Sequence, residues 1–293
     1  MRHQKWLKPC RSFFVAASAL LLSVAAQAME ATAQKTDRII SADAGATALL
    51  RDFGVAQQLV GIDVTSPQSE KEKLPVVGYH RQLAAEGLLA LRPTVLIGSE
   101  HMGPASTLTA VEAAGVKVVR LPAVSDGAGL LSNIRLLAKT MNEPAQAQTV
   151  VQQVEKKIAD LQKNALPKSS RALFLLSAGS RGLRAAGVGT GGDALIRLLG
   201  ANNVMSHNSY QPISAEAIMA TNPDLILLAA DGGENTTDHL LRDYPTLAAM
   251  PVAKNGKILA VRSETLVAGL SVLTVDEALR LQALLQQKTA KPE

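Results

Sequence analysis

The stretch AQAQTVVQQVEKKIADLQKNAL, residues 145–166, decides how the rest of the chain divides. Its apolar residues recur at helical spacing without glycine or proline, predicting one helix of about 22 residues, roughly 33 Å long. That is the span of a small domain. Just upstream, Asn142-Glu143-Pro144 interrupts an earlier helical run. Asn142 reads as the N-cap, and Pro144 falls in the first turn, where a missing N–H costs nothing. Residues 128–167 therefore form a helical segment with one break, and the texture on either side differs.

Upstream, RIISADAGATALLRDFGVAQQLVGID (38–63) reads as strand, helix, strand, with Gly54 ending the helix. A polar loop with two prolines follows, then a helix over 83–91, the strand TVLIGS, a helix to Ala114 and the strand KVVRLP. Downstream come the strand RALFLLS, the helix GGDALIRLLG, the helix SAEAIMATN, the strands PDLILLAA and KILAVRS, and the terminal helix SVLTVDEALRLQALLQQ. Strands alternating with helices argue for parallel sheets covered by helices. The expected fold is α/β, with two Rossmann-like lobes, 36–127 and 168–293, joined by one long α-helix. A helical joint resists wide hinge opening, so the cleft between the lobes is expected to be nearly preformed.

Residues 1–28 read as a secretory signal peptide: Arg2, Lys5, Lys8 and Arg11 precede the apolar run FFVAASALLLSVAA, and Ala26-Gln27-Ala28 is a small-x-small cleavage site. The run is shorter than the roughly 18–20 residues a membrane span needs. Those four of the chain's 30 basic residues leave with the signal and no acid does, so against 25 acids the formal charge of +5 nearly vanishes. A nucleic-acid partner, which needs a basic face, has little support. Cys10, the single cysteine, leaves as well, excluding disulfides and thiolate chemistry. The expected product is a periplasmic protein poor in aromatics, in which Phe53, Phe174 and three tyrosines each call for an account.

Two stretches share a plan. VVGYHRQLAAEGLLALRPTVLIGSE (76–100) and SYQPISAEAIMATNPDLILLAA (209–230) each carry a Tyr, an Ala-Glu pair, an apolar helical run, a Pro seven residues after the Glu, and a strand. Glu86 and Glu216 thus begin equivalent surface helices; each stabilises a helix dipole, and the pair also suits docking on a two-fold symmetric partner. Tyr79 reads either as a boundary tyrosine with a wet hydroxyl or as a phenolate ligand to a ferric porphyrin. Arg81 is placed to pair with that phenolate or with a haem propionate, or is a plain surface arginine. His80 reads as supporting or solvated, because adjacent side chains do not usually reach one metal from the same side. His101, His207 and His239 are scattered, without metal-ligand spacing. GVGTGG (187–192) matches G-x-G-x-x-G but stands nine residues after the strand ending near Ser177, so it reads as a flexible loop lining the cleft instead of a dinucleotide fingerprint.

The run VVGYHRQLAAEGLLALRPTVLIGSEHMGP resembles the haem-binding periplasmic proteins of bacterial ABC importers, the HmuT, ShuT and PhuT type. So do RIISADAGATALLRDFGVAQQLVGID, AAGVGTGGDALIRLLGANNV and YQPISAEAIMATNPDLILL. The Gly-Tyr-x-Arg-x-Leu-x-x-Glu-Gly core is the selective part. The resemblance implies a class III periplasmic binding protein, related to the vitamin B12 and siderophore binding proteins, that carries haem to an inner-membrane ABC permease with its ATPase and catalyses nothing. It implies Tyr79 as axial ligand of the haem iron, Arg81 beside it, and Glu86 and Glu216 as permease-docking acids, with Arg242 as a second haem-facing arginine. An outer-membrane haem receptor would stand upstream. Where some relatives carry a histidine for a second haem, this chain has Ser177, Ala178 and Gly179, so one haem b per chain is expected. The alternatives are the same fold carrying cobalamin or a ferric siderophore, and a secreted nucleotide-dependent enzyme built on the glycine loop.

Overall fold

A computed structural model describes residues 37–68, 72–177, 182–230, 236–266 and 269–290. The predicted signal peptide lies outside these residues, as do Ala178 and Gly179.

The first half of the chain winds one parallel sheet. In chain order its elements are β1 (Ile39–Ala42), α1 (Ala44–Asp52), β2 (Leu59–Ile62), α2 (Ala85–Ala90), β3 (Val95–Ser99), α3 (Ala105–Ala113) and β4 (Lys117–Leu121). The strand order is β2-β1-β3-β4, and every pairing is parallel. β1 and β3 are buried along their whole length, as central strands covered on both faces must be, and this is why they are mostly apolar, with Ser41 and Ser99 as buried polar exceptions.

Two helices follow, α4 (Gly127–Met141) and α5 (Pro144–Lys163). The break between them differs from the expectation: Asn142 is the C-cap of α4, left-handed at φ 57°, and Glu143 takes the N-cap position of α5. Asparagine tolerates that conformation better than most residues, so it ends one helix where the sequence suggested it starts the next.

The second half adds β5 (Arg171–Ser177), β6 (Leu183–Ala186), α6 (Gly191–Leu198), β7 (Asn202–Asn203), β8 (Tyr210–Pro212), α7 (Ala215–Thr221), β9 (Leu225–Ala230), α8 (Thr236–Asp243), α9 (Pro251–Lys254), β10 (Ile258–Val261) and α10 (Val272–Ala290). The sheet runs β10-β9-β5-β6-β8, with β7 beside β5. β10, β9 and β5 are parallel, whereas β6 and β8 are antiparallel additions. These two short strands went unread in the sequence, since LRAA and YQP lack the length and β-branched content that mark a strand.

The lobes are held by more than the long helix. One apolar core runs from Ile39 and Leu49 through Ile134 and Val154 to Phe174, Leu195 and Val275. The terminal helix α10 packs on α1, α5 and α6. Its Gln282 amide donates to the carbonyls of Leu161 and Asn164 at 3.0 and 2.8 Å, capping the end of α5. At its other side Glu277, fully buried, accepts from Arg262 and Arg280. Burial pushes its pKa upward, but these donors outweigh that and hold it below the usual carboxylate range. A second strand-like contact crosses between the halves, with the Leu270 N–H on the Val124 carbonyl at 2.9 Å. A shared core and two crossing points leave the cleft little freedom to open.

Candidate functional site

In open α/β sheets, ligands bind outside the carboxyl ends of the strands, where the strand order reverses. Here both sheets turn those ends toward one cavity of about 630 Å³. Its walls are Val64 and Thr65 after β2 and Tyr79 to Arg81 from the following loop, faced by Phe174 and Leu176 of β5, Ala229 of β9, Tyr210, and Ser263, Glu264 and Leu266 after β10. The volume suits a drug-sized or cofactor-sized ligand.

The Tyr79 loop is fastened on two sides. The Val64 N–H donates to the Gly78 carbonyl at 3.0 Å, the Gly103 N–H to the His80 carbonyl at 2.9 Å, and the Leu83 N–H to the Gly103 carbonyl at 2.8 Å. Gly78 has φ +98° with open space around it, so its backbone and not its surroundings requires glycine. Beyond this turn the two side chains diverge. Tyr79 keeps 41% of its surface exposed, whereas His80 keeps 3%.

His80 is a buried post. Its Nδ1 lies 3.2 Å from Oδ2 of Asp63, which is wholly buried. Asp63 also accepts from the hydroxyls of Thr65 at 2.6 Å and Ser66 at 2.7 Å. Ser66 continues to Thr47 at 2.8 Å, and Thr47 donates to Ser41 at 2.7 Å. Of the two sequence readings of His80, supporting or solvated, the structure selects the first. The Tyr79 ring rests on the imidazole at 4.3 Å between centroids, tilted by 58°.

Near this network sits Asp43, the N-cap of α1, whose Oδ1 accepts from the Ala46 N–H at 3.0 Å. Its other oxygen is buried with no partner among the described residues. Burial, and then the charge of Asp63, push its pKa up to about 6, against the pull of the Ala46 N–H and His80.

The opposite wall is built on the glycine run. A methyl on Gly192 would lie 2.6 Å from the Phe174 ring and 2.7 Å from Ala186, and one on Gly191 would lie 2.7 Å from the Leu266 carbonyl. Gly192 donates its N–H to the Tyr210 hydroxyl at 3.2 Å, and Gly189 donates to Asp193 at 3.0 Å. Gly191 and Gly192 are there because neighbouring backbone and rings come too close for a side chain, whereas Gly189, with open space around it, is required by its φ of +80°. The loop does line the cleft, but it is pinned, not flexible. It follows β6, an antiparallel strand, and so lacks the parallel strand-to-helix crossover of a dinucleotide site.

Tyr79 and Arg81 thus reach the cavity together. Glu86 and Glu216 stand exposed in the first turns of α2 and α7, one on each half of the molecule. The Glu216 carboxylate is held below its ordinary pKa by its own backbone amide and the Ser214 hydroxyl. Arg242 is not brought to the site: it lies exposed in the last turn of α8 and is not among the residues lining the cavity. Amphipathic spacing put Arg242 on the outer face of a helix, which a local motif match could not reveal. The Tyr210 ring, packed edge-on to Phe174 at 6.3 Å, was noted in the sequence only as part of a repeat.

Two α/β lobes facing each other across a walled, apolar and polar cleft, with no wide hinge between them, define a two-lobed ligand-binding protein. Residues 39–265 match the periplasmic binding protein family, and the chain belongs to it. Its fold is similar to that of the periplasmic heme binding protein HutB of Vibrio cholerae, with 39% identity, a TM-score of 0.79, and coverage of 86% of this chain and 99% of that one. It is also similar to a periplasmic heme binding protein from Pseudomonas aeruginosa, with 36% identity, a TM-score of 0.76, and coverage of 85% and 92%. In sequence it is similar to the vitamin B12-binding protein of Pectobacterium atrosepticum, 24% identical over 226 residues, covering 74% of this chain and 78% of that one.

Proposed function

We propose that the protein binds one ferric haem in the interlobe cleft, with the Tyr79 phenolate as axial ligand, and delivers it to an ABC permease of the inner membrane. The observation that carries this reading is Tyr79 itself: a half-exposed phenol, fixed on a pinned loop, at the wall of a cavity whose other side is formed by Phe174, Leu176 and Ala229. A phenolate is a hard anionic donor that favours Fe(III). Apolar walls supply what a porphyrin face needs, and Arg81 offers a cation to the phenolate or a propionate. The heme-binding relatives named above support the same ligand.

Glu86 and Glu216, exposed on separate halves, are the proposed permease contacts. Their exposure is what docking requires, and neither reaches the cavity. The location proposed is the periplasm, following a cleaved signal, with a haem receptor of the outer membrane upstream. No catalysis is part of this reading.

The similarity to vitamin B12-binding proteins keeps cobalamin as a second reading. A cobalamin carrier has no evident use for a phenolate in its cleft, whereas an iron porphyrin does. Absorption titration with hemin and with cyanocobalamin, on the wild type and on Tyr79→Phe, separates the two. The expected result is a saturable Soret band at one haem per chain, with a charge-transfer feature that Tyr79→Phe abolishes. Saturable cobalamin binding without hemin binding would overturn it.

A further inference from the structure

Beside the main cavity lies a second compartment of about 330 Å³ that the apolar walls do not form. Arg81 and His101 line it from one lobe, Ser125 from the crossing segment, and Thr190, Ser209 and Tyr210 from the other lobe. Arg81, Tyr210 and Leu266 line both spaces, so the two adjoin.

Its chemistry is one-sided. None of the residues lining it carries a carboxylate, whereas Glu264 faces the larger cavity. Among the described residues, the side chains of Arg81, His101, Ser125 and Ser209 make no hydrogen bond or ion pair, leaving a guanidinium, an imidazole and two hydroxyls with donors unused. By contrast Thr190 is committed, donating to the Gly187 carbonyl at 2.7 Å and accepting from the Asp193 N–H at 3.2 Å. Burial and the charge of Arg81 lower the pKa of His101, with Glu100 partly opposing them. An anion brought between Arg81 and His101 would offset both causes and favour the protonated imidazole.

We propose that this compartment is a carboxylate subsite, in which Arg81, His101, Ser125 and Ser209 hold the carboxylates of an amphipathic ligand whose apolar body fills the main cavity. The proposal rests on the haem reading, for which the carboxylates are the two propionates. It orients the ligand: Glu264 repels the carboxylates from one side while Arg81 and His101 receive them on the other. An Arg donates in a planar fork suited to a carboxylate, and the hydroxyls complete the oxygen's remaining bonds.

The test compares hemin with hemin dimethyl ester, which keeps the iron and the ring but loses both charges. Absorption titrations are run on the wild type, on His101→Gln and on Ser209→Ala, each with a thermal melt to establish folding. The wild type is expected to bind hemin about tenfold or more tighter than the ester, as a charge-assisted contact implies. His101→Gln and Ser209→Ala narrow that ratio by weakening hemin and leaving the ester unchanged. Equal affinity of the wild type for acid and ester overturns the subsite while leaving the haem reading intact, and so do variants that weaken both ligands alike. A wild type that binds neither overturns the haem reading itself.

Discussion

Tyr79 and Tyr210 occupy the same place in a repeated sequence pattern, each shortly before an Ala-Glu pair and a short surface helix, yet the fold treats them oppositely. Tyr79 is 41% exposed and stands on a loop hung from a buried polar network. Tyr210 is mostly covered, its hydroxyl accepts from Gly192, and burial raises its pKa. One half of the cleft is organised by charges and hydroxyls, the other by close packing against glycine. The two halves should therefore fail in different ways, the first with pH and the second with added volume.

The largest expected contrast is in ligand binding. Tyr79→Phe should weaken hemin by more than the roughly 10–100-fold that losing a supporting contact around a metal costs, whereas Tyr210→Phe should leave the haem spectrum intact. If both substitutions abolish the charge-transfer band equally, the two tyrosines share the role and the contrast is void.

Next comes pH. The Asp43 carboxyl, at about 6 in the folded protein against 3.8 in an unfolded chain, binds its proton more tightly when folded. Its neutral form favours the fold below pH 4, and stability falls by about 3 kcal/mol as pH rises through 6. Asp43→Asn, which keeps the cap on Ala46 without the charge, should raise the midpoint of urea unfolding at pH 7.5 and leave it unchanged at pH 3.5. A gain of equal size at both pH values would remove ionisation as the cause.

On the packing side, Gly192→Ala should cost about 1–3 kcal/mol, because the new methyl meets the Phe174 ring and Ala186. Its effect should be the same at pH 5 and pH 8, in contrast to Asp43→Asn. Tyr210→Phe should cost less, about 1 kcal/mol, by leaving the Gly192 N–H short of its acceptor. Smallest of all at each site in stability is charge reversal at Glu86 and Glu216, both exposed: the lost helix-dipole contact should lower melting only slightly, and hemin titration should be unchanged while reconstituted uptake is lost. A fall in hemin affinity in that double variant would place these acids in the binding site instead.

Much of the architecture was legible because long periodic segments leave little choice. The helix of residues 144–163, the central strands and the terminal helix were all within a few residues of their observed bounds. The misreadings fall where local sequence is ambiguous. Asn142 suits either end of a helix, and only the chain's path after Met141 chose the left-handed C-cap. Strands as short as Leu183–Ala186 and Tyr210–Pro212 are held by their neighbours and not by propensity. Arg242 rested on a loose local likeness, and it stands exposed on α8, not among the residues lining the cavity.

The sequence by itself determined the lobed α/β plan, the long connecting helix, and the candidates Tyr79, Arg81, Glu86 and Glu216, since periodicity, caps and a compact motif are local properties. Only the tertiary structure decided that His80 is a buried post on Asp63, that GVGTGG is a packing surface, and that Arg81 shares a compartment with His101 twenty residues away. Each of those depends on which distant atoms lie within a few ångströms, and burial and close approach are properties of the whole folded chain.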